Sequence, residues 1–183
     1  MQPIWRGLAC GILILNGCAS VSLPLTEGFH TELPPPKTIT IIWGSPPTVV
    51  TTATTWLLQQ GLIVIEQSKL QQILAEAPNP EMPVGKDAAV IKAAKSLGVK
   101  IVVFITQSGD VRAPIVAVRG VDVETTQILW SGSARYPEYM KRPFSDLLVN
   151  LTCEALAAAW GRECGKEASC CSPPASGRGS SPG

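Results

Sequence analysis

The chain has 183 residues, of which 45% are hydrophobic and 5% aromatic, enough for a sizeable core that is expected to be aliphatic. Its 15 basic and 14 acidic residues leave a formal net charge of +1. A near-neutral chain lacks the basic surface that binding to phosphate backbones requires, so nucleic acid is excluded as a partner. Nor does it carry a polybasic membrane patch.

Met1 and Arg6 supply a short positive start, and residues 7–15 form an apolar run. That run is too short to cross a bilayer, which takes about 20 helical residues. Gly17 then precedes Cys18. This is the layout of an export signal with its cleavage site, here residues 1–17. The site Leu15-Asn16-Gly17-Cys18 resembles a bacterial lipoprotein signal (lipobox). The resemblance implies cleavage before Cys18, diacylglycerol on its thiol, and attachment to a membrane through that N-terminal lipid. The bland alternative is an ordinary secretory signal that happens to contain a cysteine. Ala19, rather than Asp, follows the cysteine. Under the enterobacterial sorting rule this points to the outer membrane, with the domain facing the periplasm.

Residues 18–37 include Pro24, Gly28 and the run Pro34-Pro35-Pro36. Prolines favour an extended conformation without internal hydrogen bonds, so the stretch reads as a tether. A disordered end with no role predicts the same sequence.

The folded domain is expected over residues 38–161, about 125 residues, which is the size of one ordinary domain. Residues 38–43 read as the first strand. Ser45 and Pro46 read as N-cap and first turn of a helix with Val49, Ala53, Trp56 and Leu57 on one face, which Gly61 ends. Residues 62–66 form a second strand, apolar at four successive positions, and so expected inside a covered sheet. Ser68 to Gln71 suggests a capping box for a short helix ending before Pro78. After a proline-rich loop, Asp87 can cap a third helix with Val90, Ile91, Ala94 and Leu97 on its apolar face, and Gly98 closes it.

Residues 99–107 are the most apolar strand and are expected at the centre of the sheet. Residues 113–123 and 127–135 read as two further strands around the short connection Glu124-Thr125-Thr126. Ser145 can cap a last helix running to Trp160, whose apolar arc is so wide that only Asn150, Glu154 and Thr152 look outward. Residues 162–183, rich in Ser, Gly and Pro, read as a disordered tail. The expected fold is α/β (α+β): one domain, a mixed sheet of about five strands in the order β-α-β-α-α-β-β-β-α, with helices packed on it.

With Cys10 removed in the signal and Cys18 acylated, Cys153, Cys164, Cys170 and Cys171 remain. In an exported chain an even number suggests disulfides, and four cysteines allow three pairings. The preferred assignment packs Cys153 within its helix and leaves Cys164, Cys170 and Cys171 exposed as candidates for a disulfide. Their spacing does not match the paired-cysteine pattern of zinc sites. The one histidine, His30, falls in the tether. No metal and no cofactor is therefore expected.

Catalytic chemistry is equally hard to assemble. With His30 in the tether, no Ser–His or Cys–His pair is expected. Gly85-Lys86 is not a phosphate loop, because Pro80 stands where the first glycine should be and Asp87 where Ser or Thr should hold magnesium. The chain is read as no enzyme.

Three blocks carry a wider resemblance. The first is Gly61-Leu62-Ile63-Val64-Ile65-Glu66 followed by Leu70-Gln71-Gln72-Ile73-Leu74. The second spans residues 93–103, from Ala93 to Val103, and the third residues 121–131, from Val121 to Ser131. In this order, and with the lipobox, they resemble the curli-secretion-like lipoprotein superfamily. That superfamily includes the curli channel subunit and the outer-membrane lipoproteins that activate penicillin-binding proteins. Two departures matter. The family turn after the fourth strand usually carries Thr then Gly, whereas here it is Thr125-Thr126. Glycine supplies a positive φ that a β-branched residue adopts only at a cost, so the turn is expected to be rebuilt. No spare segment of alternating residues is left for the transmembrane hairpins of a channel, which favours the compact, non-channel branch.

The resemblance implies a non-catalytic binding or adaptor module in cell-envelope assembly whose protein partner would be an envelope protein such as a peptidoglycan synthase. The alternative is a structural or accessory subunit of a curli-like secretion assembly, separable by its mass in mild detergent. No partner-contact residue can be named at this level, since exposed lysines such as Lys92 and Lys95 are ordinarily just solvated.

Overall fold

A computed structural model describes residues 25–76, 86–111, 113–136 and 143–162. Its strands are β1 (Leu25–His30), β2 (Ile39–Gly44), β3 (Ile63–Ile65), β4 (Ile101–Ser108), β5 (Ile115–Asp122) and β6 (Ile128–Arg135). Its helices are α1 (Pro47–Gln59), α2 (Gln67–Glu76), α3 (Lys86–Ser96) and α4 (Phe144–Ala159). The strands form one mixed sheet in the order β1-β6-β5-β4-β2-β3. β2 lies parallel to β3 and β4, each reached through a helical crossover, and the remaining pairings are antiparallel. The α/β class and the helix-covered mixed sheet are as expected, with one strand more.

β4 lies between β5 and β2 near the middle of the sheet, and residues 101–105 are all buried. Alternation sends Ile101, Val103 and Ile105 to one face, where α1 and α4 pack, and Val102 and Phe104 to the other, beneath α2 and α3. Each fully buried aliphatic side chain of this kind contributes about 1.5–3 kcal/mol.

α4 is buried on most of its circumference, as its wide apolar arc predicts. Thr152, expected to look outward, is fully buried, and its hydroxyl donates to the Leu148 carbonyl at 2.7 Å, which satisfies it within the helix. The helix sits unusually close to the sheet because glycines lie beneath it. A Cβ on Gly132 would overlap the Ala155 carbonyl oxygen, and one on Gly28 the Ala158 carbonyl oxygen.

Several expectations are corrected. The sixth strand, β1, comes from residues assigned to the tether; it pairs along its length with β6, from Leu25 opposite Arg135 to His30 opposite Trp130. Its composition hides it, because all six residues are exposed and no apolar alternation marks it. β3 is an edge strand rather than an interior one, and Ile63 is 48% exposed. Its apolar run reflects packing against α1 and α2 on its two faces, not a neighbour on each side.

The expected side-chain caps are displaced. Pro46 and Pro143, without side-chain cap bonds, precede α1 and α4. α2 begins at Gln67, and Ser68 donates to the Glu66 carboxylate. Asp87, in the first turn of α3, pairs with Arg119 instead. The helix stops hold better: Gly61 and Gly98 are at positive φ, and so is Gly161 just after α4.

The aliphatic-core expectation also needs amending. Trp56, Trp130 and Trp160 meet beneath α1 and α4, with ring centroids 5.0 Å apart for Trp56–Trp160 and 4.5 Å for Trp130–Trp160. The Trp130 ring occupies the space a side chain at Gly120, its partner across the ladder, would fill. Cys153, read as a packed thiol, is 1% exposed and disulfide-bonded. It is the only cysteine among the described residues, so its partner lies outside them.

The β5–β6 turn is not rebuilt. Thr126 takes φ 59°, the conformation glycine would supply. Local bonds hold it there: its N–H donates to the Asp122 carbonyl at 2.9 Å, and its hydroxyl to the Thr125 carbonyl at 2.6 Å. The Asp122 carboxylate accepts from Glu124 N–H, Thr125 N–H and the Thr125 hydroxyl at 3.0, 2.7 and 2.9 Å.

Candidate functional site

Among the described residues, one half of one sheet face carries no helix. α2 and α3 lie over Ile41, Val102, Phe104 and Val121, but no described helix covers β1, β6 and the adjoining part of β5 on that side. The register aligns two open rows there. One runs Glu27, Ser133, Ala117, Thr106, and the next Phe29, Ser131, Arg119, Phe104. Together they line a groove of about 520 Å³. Small side chains in the middle, with Phe29 and Glu27 on one bank and Phe104 and Arg119 on the other, give the groove its floor and walls.

The charge in this groove is held in place. The Arg119 guanidinium stacks over the Phe104 ring, 4.9 Å from its centroid, and donates to the Asp87 carboxylate of α3. Both partners of the ion pair stay substantially exposed, so it orients the arginine more than it stabilises the fold. Lys95 makes a similar exposed pair with Glu124 at 2.6 Å, so of the two outward lysines named from sequence it has a partner.

Ser131, Ser133 and Thr106 offer hydroxyls, but no histidine or cysteine stands beside them among the described residues. His30 sits against Gly161 at the end of α4, on the opposite side of the sheet. Among the described residues no group of three His, Cys, Asp or Glu side chains gathers in a metal-holding arrangement. What the groove offers a partner is apolar contact at Phe29, hydroxyl donors and acceptors, the Glu27 carboxylate and one oriented cation, which the buried Phe104 ring supports from below.

A second groove, about 580 Å³, lies between α1 and α4 and is lined by Thr48, Thr51, Thr52, Thr55, Trp56 and Val149. The hydroxyls of Thr52 and Thr55 donate back to the carbonyls of Thr48 and Thr51, so these side chains offer the groove little unsatisfied polarity. α1 carries no charged residue over its 13 residues, which makes this face neutral as well.

Of the site residues named from sequence, Cys18, Cys164, Cys170 and Cys171 all lie outside the described residues. The groove residues went unnamed, although a signal for them exists. In β5 and β6 one alternating set is apolar or glycine and buried, whereas the other is Ala117, Arg119, Ser131 and Ser133, which is the pattern of an antiparallel sheet bare on one face. Among the described residues no helix is long and apolar enough to cross a membrane.

No protein-family model matches the chain, and no curated protein does. Among solved structures it is similar to the LpoB C-terminal domain from Salmonella enterica at 20% identity, over 55% of this chain and 82% of that one, with a TM-score of 0.42. It is similar to the lipoprotein GNA1162 from Neisseria meningitidis at 21% identity, over 62% of this chain and 88% of that one, with a TM-score of 0.43. It is also similar to the PelC dodecamer from Paraburkholderia phytofirmans at 10% identity, over 78% of this chain and the whole of that one, with a TM-score of 0.45.

Proposed function

We propose that this chain is a lipid-anchored, periplasm-facing lipoprotein of the outer membrane that acts as a non-catalytic adaptor in cell-envelope assembly. Its partner in this reading is an envelope protein of peptidoglycan synthesis, docked on the open half of the sheet. The observation that carries the reading is the pairing of the Leu15–Cys18 signal with a sheet face built for contact rather than reaction. A groove with hydroxyls, the exposed Phe29, the Glu27 carboxylate and an oriented arginine, and with no histidine or cysteine in its lining, fits recognition of a partner surface.

The test combines anchor and docking face. A photo-crosslinking residue is placed at Ser131 or Ser133 and, as a control, at Thr52 in the second groove. The expected result is an adduct with a peptidoglycan-synthesis protein from the sheet positions only, lost when Cys18→Ser abolishes labelled fatty-acid incorporation. Unchanged labelling in Cys18→Ser would refute the anchor. Equal adducts from Thr52, or none from Ser131 and Ser133, would refute the docking face. An assembly many times heavier than the chain in mild detergent would favour the secretion-subunit alternative.

A further inference from the structure

The sheet has two edges, and they are not alike. β3 ends one edge with three residues, and shortness alone limits what can add to it. β1 ends the other with six residues, all exposed; no proline, no lysine and no bulge interrupts Leu25–His30, and its one carboxylate is Glu27.

The ladder determines which backbone groups that edge offers. Thr31 N–H donates to the Leu129 carbonyl at 2.8 Å, continuing the β1–β6 register. In an antiparallel pair the residues that bond the neighbour alternate with those that face away. Leu25, Glu27 and Phe29 therefore bond β6, and the N–H and C=O groups of Thr26, Gly28 and His30 face the open edge.

We infer that this edge is an interface between two copies of the chain, with β1 pairing antiparallel to β1 of a second copy about a two-fold axis at Gly28. The strand's antiparallel match to itself supplies the occupant, and its charge pattern selects the register. Centred on Gly28, Thr26 bonds His30 of the second copy, Gly28 bonds its counterpart, and every outward backbone group of the three residues is used. On the open face Glu27 then stands opposite Phe29 of the second copy, and the two carboxylates are offset diagonally. Centring one position earlier, on Glu27, would set the two carboxylates directly opposite each other, which is unfavourable. Centring on Phe29 would reduce the paired stretch to the end of the strand. The strand is thus self-complementary in one register. The pairing also joins the two open sheet faces, so that Phe29 of each copy, 54% exposed in the single chain, is flanked across the axis.

The consequence is a docking surface doubled across the axis, formed by two grooves side by side. It extends the adaptor reading but does not depend on it, because self-association is measured without any partner.

The full mature protein in mild detergent should have twice the mass of one chain by light scattering. Thr26→Pro and His30→Pro each remove an outward N–H and leave the β6 ladder intact, and each should convert dimer to monomer. A covalent test checks the register without proline. With Glu27→Cys and Phe29→Cys in the same chain, oxidation should give a covalent dimer, since directly opposed residues of a non-hydrogen-bonded pair lie about 4.5 Å apart at Cα. Glu27→Cys alone places the thiols on a diagonal about 7–8 Å apart and should not crosslink beyond the unsubstituted protein. A monomeric protein, a dimer that survives both prolines, a ring of higher mass, or equal crosslinking by the single variant would each overturn the inference.

Discussion

At Thr126 the chain keeps a conformation that its side chain disfavours. A non-glycine residue in the left-handed region costs about 1–2 kcal/mol, and Thr126 sits there at φ 59°. The bonds from Asp122 and Thr125 hold the turn in place. Thr126→Gly is therefore expected to raise stability by about 1 kcal/mol in urea titration, the relief of strain exceeding the added chain entropy. A loss of stability would show that the Thr126 hydroxyl bond outweighs the strain. Two carboxylates should show opposite pH dependence. Hydrogen bonds from Thr125 hold Asp122 below the ordinary carboxylate value, whereas burial pushes Glu154 above it. The depressed group favours folding at neutral pH and loses that effect as pH falls through its folded value; the raised group disfavours folding at neutral pH, and acid removes the penalty. Asp122→Asn should thus lower the melting temperature at pH 7, and Glu154→Gln raise it. The Glu154 difference should shrink first, as pH falls from its raised folded value to the ordinary carboxylate value, and the Asp122 difference only below that value, as pH falls through its depressed folded one. Differences that persist unchanged into acid would contradict these assignments.

Among the elements, α4 and the strands beneath it show how glycine positions a helix. Ala155, Ala158 and Ala159 approach Gly28 of β1 and Gly132 of β6, small residues on both sides permitting backbone contact. A methyl at Gly132 has nowhere to go, with the Ala159 nitrogen 2.9 Å and its Cβ 3.0 Å from the added carbon. Gly132→Ala should cost about 2 kcal/mol or more, the scale of core overpacking, and chemical denaturation measures it directly. A neutral substitution would mean that α4 can lift from the sheet without losing its contacts. The same closeness explains how β1 is retained despite its exposure. One side of the strand is roofed by α4 at Gly28, and its ladder to β6 is continuous.

Among the described residues, helices cover one face of the sheet along most of its width and the other only in part. α1 and α4 enclose the tryptophan cluster, including Trp130, whose Nε1 is the one buried side-chain polar atom left without a hydrogen bond among the described residues. On the other face α2 and α3 stop at β4 and the near part of β5, which leaves the groove and the β1 edge adjacent and open together. In the proposed reading the N-terminus holds such a domain at a membrane while the open sheet face meets a partner. The crosslinking and mass measurements above test that arrangement at this scale.

Local patterns are legible in the chain itself. The helix stops at Gly61, Gly98 and Gly161, the helical crossovers between parallel strands, the central place of β4 and the wide apolar arc of α4 all follow from short-range rules about φ, burial and period. So does the lipoprotein-like site at Cys18 as an expectation, because a processing signal is written in consecutive residues. What needed the tertiary structure was long-range in origin. β1 is a strand because β6 is next to it, not because Leu25–His30 has a strand pattern. Asp87 leaves its capping role because Arg119 arrives from β5. Trp56, Trp130 and Trp160 lie far apart in the chain, and only the packing of α1 and α4 on the sheet brings them together. The alternating set Ala117, Arg119, Ser131 and Ser133 hints at a bare face, but where the bare part begins depends on how far α2 and α3 reach across the sheet, which packing sets.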